Sequence, residues 1–475
     1  MPRVSTTPAE ALRFDSERLY RALDELLAPL GTRGAGWCVA LSGGLDSTAL
    51  LVALAGLRER TAVPSIRAIH IDHELHADSA DWARACRSLA VEYDIACEQV
   101  VVNARAGRGE SPEAAARKAR YEAISSRLSP SEVLLTAHHA DDQLETILLQ
   151  WLRGGGLRAV AGMRPLMNFG PGWMARPLLG FNRAAILDYA RFMGLQWQED
   201  PSNLDSGPDR NYLRLNVLPA IRERWPAAAR TIARVGDFAV EALELEAEQA
   251  RADLERSADG LTLNVEKLNR LPEGRQRALM RAWLRSLGLG VPAASTLAAL
   301  HTDMRRAAAD RVPCCNWPGV EVRRYRGRLY AEPADEGTSA ISEGDWPIDR
   351  RYSLNQHSSL VLEPSVGVGL SRDRLPQTLQ VRSRVGGERF QQPGSAHRKA
   401  LRKFFQEKGV LPWRRSSIPV MLADGEVVSV GDQVITADWA ARAGEASWKI
   451  VWSPRPMLTE TDFTTRRLLP LPKGG

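Results

Sequence analysis

The stretch from Trp37 to Leu57, WCVALSGGLDSTALLVALAGL, constrains this chain more than any other. Cys38 to Leu41 is a short apolar run of buried-strand type, and Ser47 to Leu57 reads as an apolar helix. Between them lies Ser42-Gly43-Gly44-Leu45-Asp46-Ser47. Two adjacent glycines let the backbone turn tightly and bring its N–H groups close to an anion. The helix behind adds its positive N-terminal end, and the hydroxyls of Ser42 and Ser47 add donors. A carboxylate beside a phosphate repels it unless a cation intervenes, so Asp46 points to Mg²⁺ held jointly with phosphate oxygens. A glycine turn merely capped by serine leaves most of this agreement unexplained. The Walker A pattern fails, because no Gly-Lys-Ser/Thr occurs anywhere in the chain.

The segments around this junction set the fold class. A helix is expected over Ser16–Leu30, ahead of the first strand. Ser65–Ile71, Ala96–Val102 and Glu132–Ala137 read as further strands. Asp81–Tyr93, Glu110–Leu128, Asp141–Leu152 and Arg183–Met193 read as helices, with a short strand or turn at Gly194–Trp197. Strands alternating with helices call for an α/β domain with a parallel sheet covered on both faces. Ligands then sit at the carboxyl ends of the strands.

Two polar motifs fall at such ends. His70-Ile71-Asp72-His73-Glu74-Leu75-His76 invites a metal reading. A strand end does not gather these residues on one face, however, so a nucleotide-lining loop carrying His70, Asp72 and His73 is the preferred role. In His138-His139-Ala140-Asp141-Asp142-Gln143-Leu144-Glu145, Asp141 or Asp142 is expected to cap a helix. Capping accounts for one aspartate at most, which marks the cluster as functional. Further on, Arg210 and Arg214 are four apart and share a helical face, suited to phosphate recognition or to a plain solvated surface.

At 475 residues the chain needs more than one core. The expected divisions are a catalytic domain over 1–225, a mainly helical middle domain over 226–345 and a small, basic α+β domain over 346–475. Within the middle region Val320–Tyr330 alternates like a hairpin with Arg326-Gly327 at its turn, and Glu332–Asp345 reads as a linker. The net charge of +6 is unevenly placed: from Gln377 to Ile418 there are ten Lys/Arg against two Glu, a local +8. Such a patch marks a polyanion partner. There Arg398–Gln406 is expected to be a helix, with Leu401, Phe404 and Phe405 on its apolar side and Arg398, Lys399, Arg402 and Lys403 on the other. Five cysteines without a CxxC, no signal peptide and no apolar run of membrane length give a cytoplasmic expectation with no membrane partner.

SGGLDS resembles the pyrophosphate loop of the ATP-pyrophosphatase superfamily. With HIDHELH, EAAARKARY (Glu113–Tyr121), AHHADDQLET (Ala137–Thr146), RGGGLRAVAGM (Arg153–Met163), RPLL (Arg176–Leu179), EDPSN (Glu199–Asn203) and RNYLR, the chain resembles the tRNA(Ile)-lysidine synthetase family. FQQPGSAHRKALRKFFQEKGVLPWRRSSIPVM (Phe390–Met421) looks like that family's C-terminal tRNA-binding module. Glu74, Ala159 and Leu215 depart from residues frequent there. The resemblance implies an enzyme that uses ATP and Mg²⁺ to join L-lysine to the wobble cytidine of a tRNA(Ile) with a CAU anticodon. It implies that Ser42, Gly43, Gly44, Leu45, Asp46 and Ser47 bind nucleotide, with Asp46 on the metal. Asp141 and Asp142 would bind lysine or deprotonate its ammonium. Arg117, Arg120, Arg210 and Arg214 would contact RNA or phosphate, as would the four cations at 398–403. A homodimer is left open. A thiolase of the same superfamily is the rival enzyme, set against by the missing paired cysteines. A non-catalytic tRNA-binding protein is set against by the intact SGGLDS.

Overall fold

The computed structural model describes residues 13–31, 36–58, 63–73, 78–103, 112–201, 205–306, 312–334 and 341–469. The expectations for Glu74, Leu75, His76, Ser202 and Asn203 lie outside the described residues. Two units divide between Leu245 and Glu246.

The first unit opens with α1 (Ser16–Leu27), whose Leu19, Leu23 and Leu27 recur every fourth residue and are buried; Asp15 caps it by accepting from the Arg18 N–H. Strands and helices then alternate as β1 (Trp37–Ala40), α2 (Leu45–Arg58), β2 (Ile66–Asp72), α3 (Ser79–Glu92), β3 (Ala96–Val101), α4 (Pro112–Ser125), β4 (Val133–Leu135) and α5 (Ala140–Leu152). They are followed by α6 (Leu157–Val160), β5 (Leu166–Phe169), β6 (Gly172–Ala175), α7 (Arg183–Phe192), α8 (Asp209–Tyr212) and α9 (Leu218–Arg224).

The sheet order is β3-β2-β1-β4-β6-β5, parallel throughout except for β5. The β5–β6 hairpin was not anticipated. Alternation along β1 sends Trp37 and Val39 into one core with α1, α2 and α7, and Cys38 into another with Ile124 and Leu128 beside α4. Helix α2 is apolar on nearly every face and is correspondingly buried. Strand order reverses between β1 and β4, so the crevice at their carboxyl ends is the switch point where an open α/β sheet binds ligands. Gly194 (φ 65°) stops α7 in a turn, and the segment after it is irregular rather than a strand.

A long helix, α10 (Ala228–Ser257), runs across the division. In the second unit β7 (Ala258–Asp259), β8 (Thr262–Asn264), α11 (Val265–Asn269), α12 (Glu273–Ser286), α13 (Ala294–Arg306), β9 (Cys314–Trp317), β10 (Val320–Tyr325) and β11 (Arg328–Pro333) follow. Here the expected helices accompany a five-stranded sheet, β7-β8-β11-β10-β9. The expected hairpin is β10–β11, turning at Arg326 (φ 46°) and Gly327 (φ 73°). Glu332 is not linker: it is buried in β11, accepting from Trp413 Nε1 at 2.9 Å and pairing with Arg414. Residues 335–340 of the expected linker lie outside the described residues.

The remainder comprises β12 (Gly344–Pro347), β13 (Tyr352–Ser353), β14 (Ser359–Val366), β15 (Leu370–Ser371), β16 (Thr378–Arg382), β17 (Arg389–Gln391), β18 (Arg398–Ala400), α14 (Leu401–Glu407), β19 (Val420–Ala423), β20 (Glu426–Val430), β21 (Val434–Ile435), β22 (Ala446–Ser453) and α15 (Glu460–Thr464). Two antiparallel sheets, β12-β16-β19-β20-β21 and β13-β14-β22-β15, enclose a core that includes Trp346, Val381, Phe405 and Val430. The helix expected from Arg398 begins only at Leu401. Arg398 and Lys399 instead pair with Gln391 and Phe390 as β18, because ladder bonds to β17 hold this backbone extended. Among the described residues no helix is long and apolar enough to cross a membrane, and no disulfide joins the five cysteines.

Candidate active site

The loop between β1 and α2 closes on its own hydroxyls. Ser42 and Ser47 Oγ are 2.9 Å apart, the Ser42 N–H donates to Ser47 Oγ at 3.2 Å, and Ser47 Oγ donates to the Gly44 carbonyl at 3.1 Å. Gly43 has φ 84°, and a Cβ there would stand 3.0 Å from Cys86 Sγ, so both conformation and space call for glycine. Leu45 is buried at the start of α2. The result is a preformed concavity at a helix N-terminus.

Asp46, in the first turn of α2, has Oδ1 buried without a hydrogen-bond partner. An unsatisfied buried carboxylate oxygen beside a phosphate-type loop fits a divalent cation shared with phosphate. Its Oδ2 lies 3.6 Å from His139 Nε2.

His139, not either aspartate, is the N-cap of α5. Its Nδ1 accepts from the Asp142 N–H at 3.3 Å, while Asp142 Oδ2 accepts from the His139 N–H at 3.1 Å. The cap lies two residues ahead of Asp141 because an extended residue is needed before the first turn, and His139 supplies it (φ −118°, ψ −179°). The same imidazole places Nε2 3.4 Å from Asp142 Oδ2. Burial opposes its charge, but the carboxylates of Asp46, Asp142 and Asp141 outweigh that and raise its pKa above the ordinary histidine value. Burial drives His138 the other way, toward the neutral form, with Nδ1 2.9 Å from Thr136 Oγ1.

The two aspartates part company. Both oxygens of Asp141 are engaged: Oδ2 accepts from the Arg183 N–H at 2.8 Å and Oδ1 from Arg222 at 2.7 Å, tying α7 and α9 to α5. Asp142 is likewise engaged at both oxygens, by different partners: Oδ1 accepts from Arg210 at 3.2 Å and Arg214 at 3.3 Å, and Oδ2 from the His139 N–H at 3.1 Å. Burial works against its charge, yet His139 and Arg210 hold its pKa below the usual carboxylate value.

One turn on, Glu145 is almost fully buried and accepts from Arg210 Nε at 2.9 Å and from Arg214 Nε and Nη2 at 2.8 and 2.9 Å. Arg210 and Arg214 do share a face, as their spacing requires, and that face is turned to these carboxylates. Glu145, His138 and His139 belong to the cluster that the sequence marks as functional, but the sequence assigns them no individual role. The signal was there in the complementary i, i+3 and i, i+4 spacings of acids on α5 and arginines at 210 and 214.

At the end of β2, His70 Nδ1 is 2.8 Å from the Leu41 carbonyl and braces the loop strand, while burial lowers its pKa. Asp72 accepts from Gln99 at 3.3 Å. His73 Nε2 accepts from Arg120 at 3.2–3.3 Å, and Arg117 stacks on Tyr121 with 5.0 Å to the ring centroid. Arg398, Lys399, Arg402 and Lys403 belong to the second unit.

A parallel sheet with a serine- and glycine-built phosphate loop at its switch point and an unsatisfied aspartate in the following turn defines a PP-loop ATP-using domain. The family model described as a PP-loop domain matches residues 16–221. Models of a TilS substrate binding domain and a TilS substrate C-terminal domain match 263–330 and 379–452. The tRNA(Ile)-lysidine synthase of Methylococcus capsulatus is 36% identical over 89% of this chain and 97% of its own. That of Alkalilimnicola ehrlichii is 40% identical over 88% and 94%, and that of Ralstonia nicotianae 38% identical over 88% and 92%. The chain belongs to the tRNA(Ile)-lysidine synthase family. It is accordingly an ATP-using ligase that forms a carbon–nitrogen bond, with tRNA as its substrate.

Proposed function

We propose that this chain joins the ε-amine of free L-lysine to C2 of the wobble cytidine in a tRNA(Ile) bearing a CAU anticodon, in the cytoplasm. The observation that supports the reading is His139 Nε2 lying 3.6 Å from Asp46 Oδ2 and 3.4 Å from Asp142 Oδ2, which puts the phosphate loop and Asp142 beside one imidazole. The cytosine O2 attacks the α-phosphate of ATP and pyrophosphate leaves. Adenylation makes C2 electrophilic, the lysine amine attacks it, and the C2–O bond breaks to release AMP. An unpaired anticodon base suits this chemistry, because it enters a pocket without melting a helix.

Ser42, Gly43, Gly44 and Ser47 hold the departing pyrophosphate through backbone N–H groups and hydroxyls, with Leu45 anchoring the turn. Asp46 is the protein ligand for Mg²⁺, which when bound offsets phosphate charge. Asp142 holds the lysine ammonium. A carboxylate held below its usual pKa is a better counter-ion than base, so orientation suits it better than proton abstraction. Asp141, tied to the Arg183 N–H and to Arg222, positions α5 against α7 and α9. His70, Asp72 and His73 shape the neighbouring nucleotide wall, and Arg117 and Arg120 offer charge at its rim to RNA or phosphate.

The test is incubation of the protein with tRNA(Ile), ATP, Mg²⁺ and radiolabelled lysine. Label should enter the RNA, and Asp46→Asn should reduce transfer by about two orders of magnitude or more while tRNA binding without ATP is unchanged. Label absent from RNA with the native protein sinks the function. Near-normal transfer by the variant removes Asp46 from it.

A further inference from the structure

The turn that ends α5 presents apolar side chains to solvent where a buried role would be expected. Trp151 is 62% exposed, Leu152 70% and Leu157 45%. Tyr212 of α8, 53% exposed, is joined to the same corner by Arg153 Nη2 on Asp209 Oδ2 at 2.7 Å. The backbone beneath them is firmly closed. The Gly154 N–H donates to the Trp151 carbonyl and the Gly155 N–H to the Gln150 carbonyl, both at 2.9 Å. A Cβ on Gly155 would stand 2.4 Å from Ala159 Cβ, so the turn tolerates no side chain there. These side chains are held out by a built turn, not left out by a loose one.

Charge says what covers them. From Thr146 to Leu187 the chain has five arginines and no acidic residue. Position along α5 says where the occupant leads, since Trp151 lies nine residues, about 14 Å, beyond Asp142 at the catalytic end. A partner that is anionic, offers flat apolar faces and continues into the active site is single-stranded RNA. We propose that Trp151, Leu152, Leu157 and Tyr212, flanked by Arg153 and Arg158, form the platform on which unpaired anticodon-loop nucleotides next to the wobble position stack. The inference rests on the proposed function for the identity of the RNA.

The test uses the full chain and a fluorescently labelled anticodon stem-loop of the tRNA. Trp151→Ala with Leu157→Ala should raise the Kd for the stem-loop, and the KM for tRNA, about tenfold or more, the scale of losing a base stack. Turnover at saturating tRNA should stay within a few-fold and the KM for ATP should not move. Trp151→Phe should restore most of the affinity, which a merely structural residue would not do at so exposed a position. Arg158→Ala should flatten the salt dependence of binding by about one unit of slope. Unchanged Kd and KM in the double variant overturn the platform. So does a fall in turnover at unchanged KM, or a native oligomer that the substitutions dissociate. Because Kd is read without chemistry, these outcomes differ from a native chain that attaches no lysine, which sinks only the proposed function.

Discussion

The carboxylates of the first unit differ in what each oxygen touches, and among the described residues only Asp46 keeps a buried carboxylate oxygen, Oδ1, without a hydrogen-bond partner. Asp46 and Asp142 meet across His139; Asp142 and Glu145 share Arg210 and Arg214, and Asp141 takes Arg222. The same chemistry at the opposite end of β4 is purely structural. There Glu132 is buried and takes Arg67 Nε at 2.7 Å and Nη2 at 2.9 Å, with the Ser129 N–H at 2.9 Å. Burial alone would raise its pKa, but Arg67 and Ser129 carry it below the ordinary glutamate value of 4.5. A carboxylate depressed on folding stabilises above its unfolded pKa, and that contribution is lost as pH falls through the folded one. Glu132→Gln, which keeps the shape and strands Arg67, should therefore cost about 3 kcal/mol at pH 7. The cost should persist down to pH 4.5 and shrink below it, as the native carboxyl is itself neutralised. Urea unfolding of both proteins across that range checks this, and a gap independent of pH would show that packing, not charge, explains the loss. From sequence, the acids at 141, 142 and 145 could be recognised as a cluster. What each of them touches could not, because that depends on arginines some sixty-five to eighty residues away.

Among the elements, the regular ones were legible and the contingent ones were not. The alternation of β1 through α5 follows from apolar period and length, and the observed ends fall within a few residues of those expected. The β5–β6 hairpin escaped notice because its strands are four residues each and interrupted by Gly170, Pro171 and Gly172. The 398–406 segment shows a different failure. Its 3.6-residue pattern holds from Leu401 through Phe405, with Leu401, Phe404 and Phe405 buried as expected, yet pairing with β17 claims the first three residues for a strand. The four cations once assigned to one helix face thus occupy two settings. Lys399 Nζ is bound to Glu407 at 2.6 Å and Arg398 lies 3.9 Å from Glu426, whereas Arg402 and Lys403 are exposed on α14. If α14 meets tRNA phosphates, Arg402→Ala with Lys403→Ala should flatten the salt dependence of tRNA binding by about 1.5 units of slope. Arg398→Ala with Lys399→Ala should flatten it by clearly less, since these charges already have carboxylate partners. Equal effects from the two pairs would mean that the β17–β18 hairpin contacts RNA as fully as the helix.

For the whole molecule the decisive feature is where charge and chemistry sit along the chain. The phosphate loop, the α5 cluster and Arg210 to Arg222 all lie in the first unit; the segment 377–418 lies in the second. That segment's +8 exceeds the +6 of the entire protein, so the remainder is close to neutral at about −2. A polyanion held mainly by one basic region releases counterions there, while bond making proceeds where buried carboxylates and arginines already balance. Raising salt should therefore lower log(kcat/KM) for full-length tRNA(Ile) steeply and linearly in log[salt]. The KM for lysine and for ATP, and kcat at saturating tRNA, should change little. An isolated anticodon stem-loop should still accept lysine at high concentration, because the crevice and the platform at Trp151 need nothing beyond the loop. Its salt slope should be shallower than that of the full tRNA by about two units or more, reflecting phosphates it cannot offer to the second unit. Steady-state kinetics on the two substrates between 50 and 300 mM KCl, about the range in which counterion release dominates, measures both slopes. Equal slopes would place the electrostatic grip on the first unit after all. An inert stem-loop that nonetheless binds would mean that contact of tRNA with the second unit is required to order the catalytic crevice, and recognition and chemistry would then not be separable.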